Sequence, residues 1–519
     1  MVIKVGSQMN PIKNVNIGDR VDCGGYLGVV KYVGLIEGYH NTWIGIDWDD
    51  HNRGKHNGTV QGIRYFVASA EQSGSFVRPD KVQLGRSIVS AITSRYGQSE
   101  EATAKLTDEE LSSIQKSLNA PFLQLVGFEK VSHRQSKYEK LEIINLRQQN
   151  VSCLEGPELR SICPNLIELD VSKNLFTNWT VVFDVCEQLD HLQWLNVSEN
   201  FMTFPSTYEN YEFPNVKTLI CSIMRLNWLT VTQLGRVYPN LEELRVPLNN
   251  IETLTTPDEL FLKLKLLDLE GNPIKNWEEV LKLTTITSLQ QLNVEDAGLT
   301  RIYFDDSHLF RNLKRLVISQ NQIEDWDSIS ELNKLPSLND LRFLRNPVLE
   351  TESYATCIQL IIAKIGNLQT LNGAPLRLDE RKGAEYDYIK KYGLDWLETK
   401  NNPTKQAQFV KKHRRYEELI QLHGPPEEAE LMIQSKLIKV SLIDIKFVYN
   451  GRTLSKKLPP TILIQKLIML AQRLFNLSDR PTLTYISGEH SEIEIELSDE
   501  GKELGFYSML DGDKIIVST

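Results

Sequence analysis

The chain has 519 residues, 41% of them hydrophobic and 24% charged, a composition that excludes global disorder. That length exceeds what one hydrophobic core organises and implies two to four domains. The net charge of −10 disfavours nucleic acid and anionic membrane as main partners, but leaves room for a local site that takes an acidic peptide.

No window reaches the roughly 18 uninterrupted apolar residues of a membrane span. The greasiest stretch, Thr461–Leu470, is broken by Gln465 and Lys466. Met1–Asn10 carries no apolar signal core, so the expected location is the cytoplasm. The cysteines at 23, 153, 163, 186, 221 and 357 show no C-x-x-C spacing and read as buried free thiols, with no metal or cofactor implied. The sequons at Asn57, Asn150, Asn178, Asn196 and Asn476 then read as chance matches.

Residues 11–86 are glycine-rich, aromatic and β-branched. Short strands are expected at Arg20–Cys23, Leu27–Tyr32, Trp43–Trp48, Gly62–Phe66 and Ser75–Arg78, giving a small, strongly bent β-barrel. The runs Gly18-Asp-Arg-Val21, Gly28-Val-Val30, Trp43-Ile-Gly45, Gly54-Lys-His-Asn-Gly58, Gly62-Ile-Arg-Tyr-Phe66 and Gly74-Ser-Phe-Val-Arg-Pro79 stand in an order that resembles the CAP-Gly domains of microtubule-associated proteins. Where that family usually has G-K-N-D-G, this chain has Gly54-Lys55-His56-Asn57-Gly58, which removes a potential negative charge.

The resemblance implies recognition of an acidic C-terminal peptide ending in Glu-Glu-Tyr or Glu-Glu-Phe, as on α-tubulin. The residue types suit that task. Lys55 offers a point charge to a carboxylate and Asn57 an amide donor. Trp48, Tyr65 and Phe66 can form an apolar wall for the terminal aromatic, with barrel core as the plainer reading. Glycines 54 and 58 let a peptide main chain approach closely.

Between 87 and 136 the chain turns polar, and a linker is expected. It contains a flexible joint at Ser94–Lys105 and a helix near Asp108–Leu118.

From 137 to 375 a pattern L-x-x-L-x-L-x-x-N recurs, with copies starting at 141, 166, 192, 216, 241, 264, 289, 313 and 338, in steps of 23 to 26. Each copy reads as a short half-buried strand followed by a sharp turn. The recurring asparagine can hydrogen-bond the backbone of neighbouring turns. The expected fold is a leucine-rich repeat solenoid closed by the cap Leu368-Gln-Thr-Leu-Asn-Gly373. Trp179, Trp228, Trp277 and Trp326 follow the asparagine position of alternate repeats, and their recurrence favours packing over a ligand stripe. The exposed strand positions are expected at Glu168, Asp170, Trp194, Asn196, Glu243, Arg245, Glu295, Arg315 and Arg342, a mixed-charge concave face suited to a protein partner.

Residues 376–432 carry charged helical stretches, Asp379–Tyr392 and Gln406–Leu422. The basic run Lys411-Lys-His-Arg-Arg415 reads as a solvated helix face, with contact to an acidic partner as the alternative. From 436 to 519 the order is strand (Ile438–Phe447), turn at Asn450-Gly451, helix (Ile464–Phe475), and strands near Thr482–Ser487, Ile493–Glu496 and Lys514–Val517. With Leu510-Asp-Gly-Asp-Lys514 this is similar to a ubiquitin-like domain, and the end Ile516-Val-Ser-Thr519 lacks a Gly-Gly tail.

The fold class is thus multidomain α+β: a CAP-Gly barrel, a repeat solenoid and a ubiquitin-like β-grasp domain. That succession resembles the tubulin-folding cofactor E family. The resemblance implies a cytoplasmic, cytoskeleton-associated chaperone that binds α-tubulin through tail and body and helps assemble or dismantle the α/β heterodimer. Its implied partners are other tubulin-folding cofactors, D and B among them. Alternatives are a microtubule adaptor that localises through CAP-Gly, and an adaptor linking tubulin to the proteasome or a ubiquitin-pathway component. No P-loop, G-x-S-x-G or H-E-x-x-H motif is present, so no enzyme is expected.

Overall fold

The computed structural model describes residues 15–97, 138–426 and 442–518, apart from 306, 400, 401, 487–493, 508, 510 and 511. The helix expected near Asp108–Leu118 lies outside them. The chain divides into two compact units, one of residues 1–388 with 407–417, the other of 389–406 with 418–519. No helix of the described residues is long and apolar enough to cross a membrane.

The first unit opens with a four-stranded antiparallel sheet of β1 (Arg20–Cys23), β2 (Tyr26–Gly34), β3 (Trp43–Trp48) and β6 (Gly74–Val77), in that order. Between β3 and β6 lies a hairpin of two-residue strands, β4 (Thr59–Val60) and β5 (Ile63–Arg64), much shorter than the strand expected over Gly62–Phe66. Val21, Val30, Ile44, Ile46, Trp48 and Val82 form the core on one face of the sheet.

The strand Arg86–Ser87 then pairs with Val151–Cys153, and the helix Ile88–Tyr96 follows, N-capped by Ser87. Ile88, Val89, Ala91 and Ile92 of this helix are buried in the core of the repeat array. The joint expected from Ser94 therefore begins inside a packed helix. Its apolar i, i+1, i+3, i+4 face, not the polar average of the region, decides the conformation.

Ten parallel strands, most of them three residues long, run in chain order from Ile143–Asn145 to Thr370–Leu371; an eleventh, Ala374–Pro375, turns back antiparallel and closes the edge. The middle residue of each strand, from Ile144 and Leu169 through Leu316 and Leu341, points into the core and is buried. Its neighbours on either side form two half-exposed rows on the opposite face.

Two polar ladders hold the turns in register. Asn272 is buried; its amide donates to the carbonyls of Val246 and Leu269 at 2.9 Å, and its oxygen accepts from the N–H groups of Asn249 and Ile251 at 3.0 Å. Asn174, Asn200, Asn249, Asn321 and Asn346 act alike. In most repeats the residue just before the first apolar position supplies the second ladder. Asn165, Asn215, Asn240, Ser288, Asn312, Ser337 and Asn367 each donate to a carbonyl about one repeat upstream.

Each of the four tryptophans is the first residue of a helix: Trp179–Glu187, Trp228–Val237, Trp277–Leu281 and Trp326–Leu332. Side chains of Asn178, Asn227 and Asp325 cap three of them. Trp179, Trp228 and Trp277 are buried, and the indole N–H of Trp228 and of Trp277 donates to the carbonyl of Thr255 and of Tyr303.

The basic run 411–415 is not a solvated helix face. His413 and Arg415 are buried, Arg415 pairs with Glu385 at 3.1 Å, and Arg414 pairs with Glu331 of the helix Trp326–Leu332. His413 Nδ1 lies 2.7 Å from the Tyr388 hydroxyl. Lys364 is also buried; its ammonium donates to Ser330 Oγ at 2.8 Å and burial pulls its pKa down to about 8. Only Lys411 and Lys412 of the run are exposed. A count of charges missed that alternate residues turn inward where the helix Pro403–Lys412 ends.

In the second unit, Ile443–Tyr449 and Arg452–Leu458 form a hairpin whose turn residues Asn450 and Gly451 have φ of 45° and 75°, the primed-turn geometry that Asn-Gly favours. The sheet order is Arg452–Leu458, Ile443–Tyr449, Lys514–Ser518, Thr482–Ile486, Glu494–Glu496, with a parallel central pair. The helix Ile464–Phe475 lays Ile464, Leu467, Ile468 and Ala471 against Ile445, Phe447, Leu483 and Ile515.

Replacing Asn272 by Ala strands two buried N–H groups at once. It should cost about 3 kcal/mol in urea unfolding, whereas the exposed neighbour change Glu252→Ala should stay within about 0.5 kcal/mol. Burial, with Lys364 and Lys412 nearby, pushes His413 down to about 3. The folded state therefore binds fewer protons than the unfolded one below the ordinary histidine pKa of about 6.5, and stability falls as pH drops through that value. Unfolding followed from pH 6.5 to 5 should show a loss of about 2 kcal/mol from this group, and His413→Phe should flatten that slope.

Candidate functional site

Strand β3 separates two environments because its side chains alternate. Ile44, Ile46 and Trp48 enter the core, whereas Gly45 and Asp47 face the other way. Asp47 accepts hydrogen bonds from Ser69 N–H at 3.1 Å, Ser69 Oγ at 2.9 Å and Ser73 Oγ at 2.7 Å, which fixes the segment after Phe66. Gly45 lies beneath Phe66; a Cβ there would sit 2.6 Å from the ring.

On this second face Phe76 makes edge contacts with Tyr32, Tyr65 and Phe66 at centroid distances of 5.9, 5.5 and 5.5 Å, and lies 5.3 Å from the His56 ring. Tyr65 and Phe66 of the expected wall are thus brought together. Trp48 is not: it is 2% exposed, on the opposite face, with the Arg53 guanidinium 5.3 Å from its ring. Tyr32 and Phe76 are the aromatic residues that sequence reasoning missed. Their signal was present in pairing, since both stand beside Gly45 across β2 and β6.

The loop Gly54–Gly58 runs along Gly74 of β6. Lys55 and His56 N–H groups donate to the Gly74 carbonyl at 2.7 and 3.2 Å, and Gly74 N–H donates back to His56. A Cβ on Gly54 would lie 2.4 Å from the Gln72 carbonyl oxygen; one on Gly58, where φ is +97°, would lie 2.1 Å from that of Phe66. Both positions need glycine because backbone packs on backbone. Gly58 N–H donates to His56 Nδ1 at 3.0 Å. Burial, then the Lys55 charge, lowers the His56 pKa, so a neutral imidazole accepts that bond.

Lys55 is exposed and makes no ion pair among the described residues. Asn57 differs from the expectation of a free donor: its amide donates to Glu71 at 3.0 Å and its oxygen accepts from Thr59 N–H. The loop therefore presents one uncommitted cation beside an aromatic cluster.

The strand rows of the array carry most of the expected residues, several of them already engaged with neighbours. Arg245 pairs with Glu243 and Arg315 lies 3.4 Å from Asp340 on the next strand. Asp170 and Asn196 accept the N–H two residues on, closing their own turns. Glu168, Trp194 and Arg342 are half-buried strand positions. Glu295 is not on a strand: the strand there is Gln291–Asn293, and Glu295 lies in the turn beyond it, bonded to Gln320. The degenerate repeat had shifted the expected register by two.

The N-terminal sheet meets the array at equivalent turn positions of three repeats. Asn150 donates to Asp22 at 3.0 Å, the Phe201 ring lies between the guanidinium groups of Arg20 (4.9 Å) and Arg225 (4.3 Å), and Arg225 approaches His51 at 3.1 Å.

Residues 17–82 match the family model described as the CAP-Gly domain. The chain is 34% identical to tubulin-specific chaperone E of Bos taurus over 524 residues, 96% of this chain and 98% of that protein. Against the Danio rerio and Homo sapiens proteins of the same name the identities are 36% and 35%, with the same coverage of both chains. The chain belongs to the tubulin-specific chaperone E family. Among solved structures, the C-terminal ubiquitin-like domain of mouse tubulin-specific chaperone e is 30% identical to it, covering 15% of this chain and 87% of that one with a TM-score of 0.14.

For this family member, Gly58→Ala should destabilise the CAP-Gly domain by about 2 kcal/mol or more, since strain and collision coincide. Gly62→Ala, where φ is +82° but the space is open, should cost about 1 kcal/mol. Thermal unfolding of the two variants checks the difference.

Proposed function

We propose that this protein is a tubulin-folding chaperone without enzymatic activity of its own. In this reading the CAP-Gly domain holds the acidic C-terminal tail of α-tubulin while the repeat array engages the folded body, and the chain works with other folding cofactors on the α/β heterodimer. The near-full-length relatives named tubulin-specific chaperone E carry this reading. The matched CAP-Gly segment supports its tail-binding part. Likeness along 96% of the chain favours a chaperone over an adaptor that shares only one module.

We further infer a division into a CAP-Gly domain (11–86), a leucine-rich repeat solenoid with its cap (137–375) and a ubiquitin-like domain (436–519), linked by 87–136 and 376–432. The one-strand-per-repeat sheet with its asparagine ladder supports the solenoid. The hairpin–helix order and parallel central pair support the ubiquitin-like assignment.

The tail site is assigned to Gly54, Lys55, His56 and Gly58 with Tyr65, Phe66 and Phe76. Lys55 supplies the charge for a tail carboxylate, the aromatic cluster takes the terminal ring, and the glycines let the peptide backbone come close. A weak tail contact suffices, because it raises the effective concentration of the body contact.

Lys55→Ala should weaken binding of a Glu-Glu-Tyr-ended peptide about fivefold, the worth of one exposed charge pair, with the difference shrinking at high salt. Calorimetric titration of the full chain reads this out. Equal affinities at low salt would remove Lys55 from the site.

A further inference from the structure

Two cations of the strand rows are already paired, Arg245 with Glu243 and Arg315 with Asp340, whereas most of the lysines at the N-terminal ends of the strands make no ion pair among the described residues. The residues just before five successive strands stand in a single row, joined by backbone hydrogen bonds: Lys217, Glu242, Lys265, Gln290, Lys314. Successive members are about 4.8 Å apart, the spacing of neighbouring strands. Lys263 stands two residues before Lys265 and faces the same groove, which has a volume of about 360 Å³ and is also lined by Lys314, Ser288 and Asn312.

Of these lysines only Lys265 has an ion-pair partner among the described residues, Glu242 at 2.6 Å. Glu242 shows what the groove favours. Its carboxyl is held below the usual range, first by the hydrogen bond from Lys265 and then by the charges of Lys265, Lys217 and Lys263. The chain as a whole carries a net charge of −10, so a groove lined by three lysines, Lys263, Lys265 and Lys314, and one carboxylate, Glu242, runs against its average.

Lys263 also breaks a structural rule. From Asn165 to Asn367 the second ladder uses Asn or Ser to donate to an upstream carbonyl, and only His191 and Lys263 depart from it. At 263 an exposed cation stands where most other repeats place the ladder donor. A local rule broken without structural gain marks a site kept for another purpose.

We propose that the edge row Lys217, Lys263, Lys265 and Lys314 is a second docking site, which takes an acidic patch on the folded body of the partner whose tail the CAP-Gly domain holds. The inference rests on the reading above for the partner, but not on the tail site. The N-terminal sheet meets the array through Asn150, Phe201 and Arg225, which follow the strands, whereas the lysine row precedes them. The attachment of the N-terminal sheet and the lysine row therefore lie at opposite ends of the strands, separated by three residues, about 10 Å of sheet. A flexible tail on one edge and a rigid acidic surface on the other would hold a folded protein across the concave face. The partner's chemistry follows from the lysines: with Arg245 and Arg315 of the strand rows already paired, the positive charge left at the strand ends calls for an acidic surface.

The test uses the full-length chain and tubulin whose acidic tails have been removed by proteolysis, with affinity measured at low and at high salt. The unchanged chain should bind tail-less tubulin with a strong salt dependence. The double variant Lys263→Glu, Lys314→Glu should bind it roughly tenfold more weakly at low salt. Lys263→Asn, which can restore the ladder bond, should bind more weakly while its melting temperature stays level or rises, so loss of binding cannot be attributed to unfolding. Equal binding by the double variant, no binding of tail-less tubulin by the unchanged chain, or a melting temperature of Lys263→Asn that falls with its affinity would each overturn the proposal. If Lys55→Ala leaves the affinity for intact tubulin unchanged while the double variant lowers it, the tail reading fails and the lysine row stands.

Discussion

Each turn of the repeat array carries backbone N–H and C=O groups into a place that water cannot reach, and the buried asparagines are what make that tolerable. One side chain supplies two acceptor lone pairs and two donors, which matches a turn that leaves two N–H groups and two or more carbonyls without partners. No apolar residue can do this, and a charged one would carry a desolvation cost several times larger. Fixing the turn fixes the strand before it and the helix or loop after it. The placing of the side chains along the strand rows and at the strand ends follows from that constraint.

The same economy explains why the strand rows are poor places to look for free charge. A three-residue strand exposes two side chains, and each has neighbours about 4.8 Å away on both sides. Opposite charges there find one another, as Arg315 and Asp340 do, and short polar side chains at the strand end fold back on their own turn, as Asp170 and Asn196 do. Like charges can persist only where the neighbours are further apart or where attraction to something outside the chain offsets their repulsion. Lys217, Lys265 and Lys314 alternate with Glu242 and Gln290 along the edge row, which places the cations about 10 Å from one another.

Much of this was legible from one sequence because its physical causes are local. A leucine every second or third residue, an asparagine at a fixed offset and glycines at 54 and 58 are each demanded by the chain's immediate geometry. What was not legible depends on which face a residue takes after folding. Trp48 and Phe66 look equivalent as aromatics near a glycine loop, yet the alternation of β3 puts one in the core and the other beside Gly45. Phe76 was overlooked because its partners, Tyr32 and Tyr65, are 44 and 11 residues away in sequence and meet it only once the sheet forms. Glu295 went astray for a different reason: in a repeat without the asparagine the register has no anchor in the letters. The run 411–415 shows the general limit, since charge in a sequence does not say whether a partner such as Glu385 or Glu331 waits inside the same fold.

How the N-terminal sheet is fastened bears on how well two weak contacts can cooperate. A free joint between the CAP-Gly loop and the array would dilute the second contact, since effective concentration falls roughly as the −3/2 power of linker length once the span is exceeded. Here the attachment is made at several points: the Phe201 ring between two guanidinium groups, the Asn150–Asp22 bond, and the strand pairing of Arg86–Ser87 with Val151–Cys153. Each is worth of order 1 kcal/mol, but together they remove rotational freedom that a flexible linker would leave. Arg20 is the hinge of this arrangement, because its guanidinium is held by both oxygens of Asp49 at 3.0 and 2.6 Å and so cannot swing away from Phe201 without breaking a bidentate pair. With the sheet fastened to the array, the two contacts proposed above would cooperate without either having to be tight.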